Sequence, residues 1–229
     1  SWLGTTRSYA NSYTNPVVLG QVMSANDADW SVFWSAGASA SQPASASALR
    51  VGKHVGEDPD TTRTNETIGY VVIEAGQYPR GSETWVAGRG AATVLGMGNS
   101  PPYSYSVSGL ATARTAVATQ AAMAGGNGGW AVLYGAGAIS ASTLQLAVDE
   151  DQILDTERAH LAEPVAYLVV GSATGGNAPP TLTAIGPKSV AEGQQLAFTV
   201  SASDPDPGDT VSLSASGLPA GASFNASTG

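Results

Sequence analysis

The sequence predicts an all-β protein: two repeated antiparallel β-sandwich units, then part of a third sandwich. Three observations carry that expectation. Apolar residues fall in short runs rich in Val, Ile, Trp and Tyr, bounded by clusters of Gly, Asn, Ser and Pro, as strands and turns require. The chain also matches itself at a shift of about a hundred residues, so each copy must solve the same burial problem. Residues 23–37, with Trp30 and Trp34, lie over residues 123–137, with Trp130 and Tyr134; residues 66–73 lie over residues 163–170, matching Glu66 to Glu163 and Tyr70 to Tyr167. Finally, residues 171–180 collapse into Gly, Ser, Ala and Pro, a spacer composition.

Taken in order, copy one begins near Trp2. It runs through residues 15–19, the Trp30–Trp34 strand and residues 49–51, and closes on residues 70–74. Copy two runs through residues 103–107, 115–120, the Trp130–Tyr134 strand and residues 144–148, and closes on residues 167–170. In residues 144–149 the large apolar side chains fall at every second position, which marks a half-buried strand. Residues 130–134 and 70–73 are apolar on both faces, which predicts central strands covered on both sides. Residues 111–124 are the one helical candidate, but their Thr, Val and Gly favour a strand with loops. The expected organisation is residues 1–77 and 78–173 as the two copies, 174–180 as a linker and 181–229 as a partial third module.

Charged residues make up only 12% of the chain, about half the usual share, and the formal charge is −9. Nucleic-acid backbones and anionic lipid both need clustered Lys and Arg, so neither is expected as a partner. There is no cysteine, hence no disulfide, thiolate metal site or Cys nucleophile. No apolar stretch approaches the ~20 residues of a membrane helix, and membrane insertion is not expected. The acidic, Ser/Thr-rich balance fits a secreted or cell-surface protein, with any secretion signal removed or upstream.

Residues 177–224, with Asn177-Ala-Pro-Pro180, Asp204-Pro-Asp-Pro-Gly-Asp209 and Leu218-Pro-Ala-Gly, closely resemble the bacterial Ig-like, cadherin-like modules of secreted enzymes and adhesins. Such modules run to ~90–100 residues, so the native chain is expected to continue. Half a sandwich is expected to be thinly supported, or completed from elsewhere, and self-association through this tail follows. The order Asn15-Pro-Val-Val18, Trp-bearing strand, then Glu66 to Glu74 resembles H-type lectin-like modules, small antiparallel sandwiches opened by a Pro-Val-Val strand. Copy two is also similar to modules in large secreted proteins of marine bacteria. The resemblance implies non-catalytic binding of a polysaccharide or glycoconjugate, or a role in adhesion or extracellular assembly.

Three constellations could carry chemistry. The pairs Trp30/Trp34 and Trp130/Tyr134 are evenly spaced along strands and so share a face; exposed they stack on sugars, buried they are core. Trp2 and Trp85 are further candidates for exposure. Acidic loops at residues 57–60, at Asp149, Asp151 and Asp155, and at Asp204, Asp206 and Asp209 either solvate turns or hold calcium, which wants six to eight oxygens. Asp149, Asp151 and Asp155 are the preferred set. The trio His160, Glu163 and Tyr167 matches Arg63, Glu66 and Tyr70. It is structural, contacts a ligand through Arg63 and His160, or, with His54 and Tyr70 across a groove between the copies, forms the acid–base site of a polysaccharide lyase or hydrolase. No nucleophile elbow, Walker A or His-Glu-x-x-His motif is present. Function is expected where the copies disagree: residues 26–29 against 127–129, Lys53-His54 against Glu150-Asp151, and Arg63 against His160.

Overall fold

The structure is a computed structural model that describes residues 4–60, 62–174, 178–205 and 210–229. It is all-β and divides into two units, Ser1–Thr174 and Gly175–Gly229. The first repeat comprises β1 (Thr5–Arg7), β2 (Pro16–Val22), β3 (Val32–Ala36), β4 (Leu49–His54) and β5 (Ile68–Glu74). A hairpin follows, β6 (Gly76–Arg80) and β7 (Glu83–Arg89), then a single 3-10 turn at Met97–Asn99. The second repeat comprises β8 (Tyr103–Ser106), β9 (Leu110–Gln120), β10 (Trp130–Leu133), β11 (Thr143–Asp149) and β12 (Val165–Ala173). The helical candidate is therefore a strand, β9.

The sequence echo is an echo of topology. β1 and β3 flank β4 in one sheet while β2 pairs with β5; β8 and β10 flank β11 while β9 pairs with β12, all antiparallel. The hairpin breaks the equivalence. β7 pairs with β12 and extends that sheet to β6-β7-β12-β9, whereas β5 has no such neighbour among the described residues.

Alternation along β2 and β12 builds the core. Val18 packs with Phe33, Leu49 and Val51, which closes β2–β5 onto β1–β4–β3. Val165, Tyr167 and Val169 pack with Leu144, Leu146 and Val148, which closes the second repeat in the same way. The opposite faces meet each other: Val17 and Leu19 of β2 lie against Ala87 and Ala166. This seam sets the aliphatic side chains of β2 against the alanines Ala87, Ala121 and Ala166. Each fully buried Val or Leu contributes about 1.5–3 kcal/mol, and the largest of these clusters lies inside the second repeat.

Two strands expected to be central are edges. β10 is the outer strand of its sheet, with Leu133 36% exposed, and β5 leaves Tyr70 and Val71 36% and 55% exposed. β12, held between β7 and β9, is the strand covered on both sides. An apolar run reports the polarity of its own two faces; whether a neighbouring strand arrives is decided by chain connectivity. The hairpin strand β6 spans residues 76–80 and so crosses position 77, the expected border between the copies.

In the C-terminal unit, β13 (Thr181–Leu182) and β14 (Ala202–Ser203) form a two-residue antiparallel ladder. Leu182, Leu196 and Phe198 remain largely exposed. Among the described residues this is an open, thinly paired arrangement. Residues 175–177 of the expected linker lie outside the described residues.

Candidate functional site

Around His160 the fold gathers a buried cluster of titratable groups. The turn 3-10 residue Asn99 positions it, its Oδ1 accepting the backbone N–H of His160 at 2.9 Å and of Gly96 at 3.1 Å. The ring nitrogens lie 3.2 Å (Nδ1) from Glu150 Oε2 and 3.3 Å (Nε2) from Glu163 Oε1, and all three side chains are at most 2% exposed. Burial disfavours the imidazolium, but the carboxylates of Glu163 and Glu150 together outweigh it and raise the His160 pKa. Burial is also the main cause that raises the Glu150 carboxyl. Gly125 must be a glycine, because a Cβ there would run into the His160 ring. Tyr167 is not part of this cluster: it lies in the second repeat's core, its ring 6.1 Å from that of Tyr105.

The glutamate shared by both copies has one job in each. Glu163 Oε1 accepts the N–H groups of Ala124 and Gly125 at 2.5 and 3.0 Å, which fixes the loop leading into β10. Glu66 accepts the N–H groups of Asn26 and Asp27 at 3.1 and 2.9 Å and the Ser24 hydroxyl at 2.5 Å, which fixes the loop leading into β3. The Ser24 hydrogen bond, first among these, lowers the Glu66 pKa. A carboxylate is suited to this role because it only accepts. Arg63, at the position matching His160, is the hub of another loop: it lies 2.7 Å from Asp58, 3.3 Å from Asp60 and 3.5 Å from Asp29, with its side chain 4% exposed.

His54 does not join His160; it holds the seam between the repeats. Its Nδ1 accepts the N–H of Gly56 at 3.2 Å, and its Nε2 contacts the carbonyl of Gly129 at 3.0 Å. A carbonyl only accepts and an amide N–H only donates, so the ring is neutral with its proton on Nε2. Burial lowers its pKa to about 4. Beside it, Asp151 of the second repeat accepts the N–H of Glu57 of the first at 2.8 Å. Gly56 has φ +61°, and any side chain there would collide with that Asp151 carboxylate.

The acidic residues are committed locally. Asp149 Oδ1 accepts from Arg158 Nε and Nη2 at 2.8 and 2.5 Å. Asp151 also accepts from the Ile153 N–H at 3.0 Å, and Asp155 from the Glu157 N–H at 2.9 Å. These three do not converge, and among the described residues no group of three or more His, Asp or Glu is placed to hold a metal ion. Asp206 and Asp209 lie outside the described residues.

The aromatic pairs separate. Trp34 is 1% exposed and packs with Ala36 and Met123. Trp30 lies ahead of β3 and is half-buried, as are Trp130 and Tyr134. Trp85, in β7, is 40% exposed, and Trp2 lies outside the described residues. Two recesses open on the surface of this unit. The larger, about 550 Å³, lies along β4 and the edge of β5 and is lined by Arg7, Lys53, Arg63, Glu66 and Tyr70. The smaller, about 300 Å³, lies between the repeats, where Trp130 and Phe33 sit beside Gln21, Ser31 and Thr119. Sequence reasoning missed Gln21, Thr119, Asn99 and Arg7, none of which carries a repeat or motif signal; the matched glutamates stood out because they recur at equivalent stations, and His54 and His160 because the chain has two histidines.

Residues 179–229 match the family model described as "Putative Ig domain". The C-terminal segment is similar to an Ig-like module. Its matched span takes in both strands of the β13–β14 ladder. No curated protein and no solved structure matches this chain.

Proposed function

We propose that this chain is a non-catalytic extracellular module of a larger multimodular protein, binding a glycan in the shallow recess between its two repeats. The observation that carries the reading is the pairing of Trp130 with Gln21, Ser31 and Thr119 in that recess. An aromatic face beside hydroxyl and amide groups is the chemistry that recognises a sugar ring. The absence of net positive charge suits an uncharged or cationic glycan better than a polyanion. A non-catalytic role is supported by the histidines: both are buried, and each ring nitrogen is engaged by a protein partner, so neither is presented to a substrate. The Ig-like segment supports an extracellular, adhesive setting.

A glycan array read with calcium and with chelator, beside a polysaccharide degradation assay, tests this. The expected result is binding to one glycan class that is lost in Trp130→Ala and in the exposed variant Gln21→Ala, with no product released. Binding insensitive to both substitutions overturns the recess. Product release by the unmodified chain overturns the non-catalytic role, and binding lost on chelation assigns recognition to a calcium-bridged loop instead.

A further inference from the structure

The two repeats share a strand plan, yet among the described residues one of them has an edge filled that the other leaves open. In the second repeat, residues 83–99 complete the sandwich. β7 pairs with β12 from Ala166 to Ser172, and the chain then crosses from one sheet to the other. The Gly90 N–H donates to the Val165 carbonyl at 3.1 Å, and Val94 and Glu163 exchange hydrogen bonds at 2.8 and 3.3 Å. Further on, the Val148 N–H reaches the Leu95 carbonyl at 2.9 Å, and the Gly96 N–H reaches the His160 carbonyl at 3.3 Å. Val94 is fully buried in the core by this crossing.

The residues equivalent to these acceptors line the 550 Å³ cleft of the first repeat. Ile68, Glu66 and Arg63 stand where Val165, Glu163 and His160 stand, by the same shift that matches Tyr70 to Tyr167. Arg7 stands opposite Leu49 as Tyr105 stands opposite Leu144, so Arg7 occupies the station of Tyr105, and Lys53 that of Val148. The backbone is also set to receive a strand. The Thr67 carbonyl accepts from Met23 on the β2 side, so by alternation the N–H groups of Ile68, Tyr70 and Val72 point to the open side. Among the described residues no strand pairs with that side.

We propose that this cleft is a strand acceptor for a strand-and-turn segment of polypeptide built like residues 83–99. The open edge and its filled counterpart identify the occupant: in the second repeat the segment that fills the edge runs immediately before β8, so a fusion ahead of β1 presents the same segment to the first. The lining sets its chemistry. The second repeat presents Tyr105 and Val148 to an uncharged crossing, whereas the first presents Arg7 and Lys53, so the occupant carries a carboxylate where residues 90–95 carry none. The filled edge matches the geometry of strand addition, in which main-chain hydrogen bonds supply affinity and side-chain pockets supply register.

The test is a set of N-terminal fusions to the whole chain. One carries the sequence of residues 83–102 ahead of Ser1, a second carries the same segment with Ala92→Asp, and a control carries a Gly/Ser segment of equal length. Amide hydrogen exchange is read at Ile68, Tyr70 and Val72, beside sedimentation. The expected result is exchange slowed by a factor on the order of 100 at those amides in the first fusion, more in the second, and not in the control, with the gain of the second lost in Arg7→Ala/Lys53→Ala. Exchange equal to the control in both fusions overturns the proposal. So does protection of the unfused chain that grows with concentration, because a second copy then fills the edge.

Discussion

Trp30 and Trp130, residues the hundred-residue echo aligns, meet each other across the seam of the repeats with ring centroids 6.0 Å apart and planes at 74°. They are not equivalent in the sheets. Trp130 pairs with Asp149, whereas in the first repeat it is Val32 that pairs with His54, two residues beyond Trp30. An edge-to-face pair of this kind is worth about 0.5–1.5 kcal/mol beyond its area. A double-mutant cycle with Trp30→Leu and Trp130→Leu in urea is expected to return a coupling in that range. Strict additivity would show that the contact contributes nothing specific.

Glu163 is fully buried, accepts from two loop amides and faces His160. Glu163→Ala leaves the imidazolium and both N–H groups without their partner, and is expected to cost about 3 kcal/mol or more. Glu163→Gln keeps an acceptor for the amides and loses the charge, so its loss is smaller. Equal unfolding midpoints for the two variants would refute a charged role.

His54 makes the fold sensitive to acid. Its folded pKa is about 4 against an ordinary value of 6.5. Its contribution is therefore complete above pH 6.5 and is lost as pH falls toward 4. The difference in pKa corresponds to about 3 kcal/mol at pH 4. Unfolding free energies at pH 7 and pH 4 for the parent and for His54→Asn isolate this: the variant starts lower and falls less steeply.

His160 acts in the opposite direction. Its raised pKa means that its stabilisation is present below pH 6.5 and disappears as pH rises through its folded value. The parent chain is expected to lose stability on the alkaline side in a way that His160→Gln does not. Direct titration of the two histidines by NMR checks both signs at once, with His160 titrating above 6.5 and His54 well below it.

Arg63 is expected to resist replacement by lysine. Its guanidinium bridges Asp58, Asp60 and Asp29, and a lysine offers a single point charge in place of a fork. Arg63→Lys should raise amide exchange at residues 57–65 nearly as much as Arg63→Ala. Full rescue by lysine would reduce the network to simple charge balance.

Much of this architecture is legible in the sequence because period-2 patterning and the internal echo are local signals. The all-β class, the succession of strands along each copy, the strand nature of residues 115–120 and the likeness of the tail to an Ig-like module are all written there. The recurrence of Glu66 and Glu163 shows that the residue matters in both copies. Only the structure shows that each carboxylate clamps the loop ahead of β3 or β10, because the donors are backbone amides and any residue type supplies them. Likewise Tyr70 and Tyr167 align perfectly and end in different environments, one at an open edge and one in a core, because a strand's neighbours come from elsewhere in the chain. The placement of His54 at the seam and of His160 between two buried carboxylates was decided in the same way. Patterning fixes which face of a strand is apolar; connectivity and packing decide what covers that face, and so which charges are buried and which surfaces remain for a ligand.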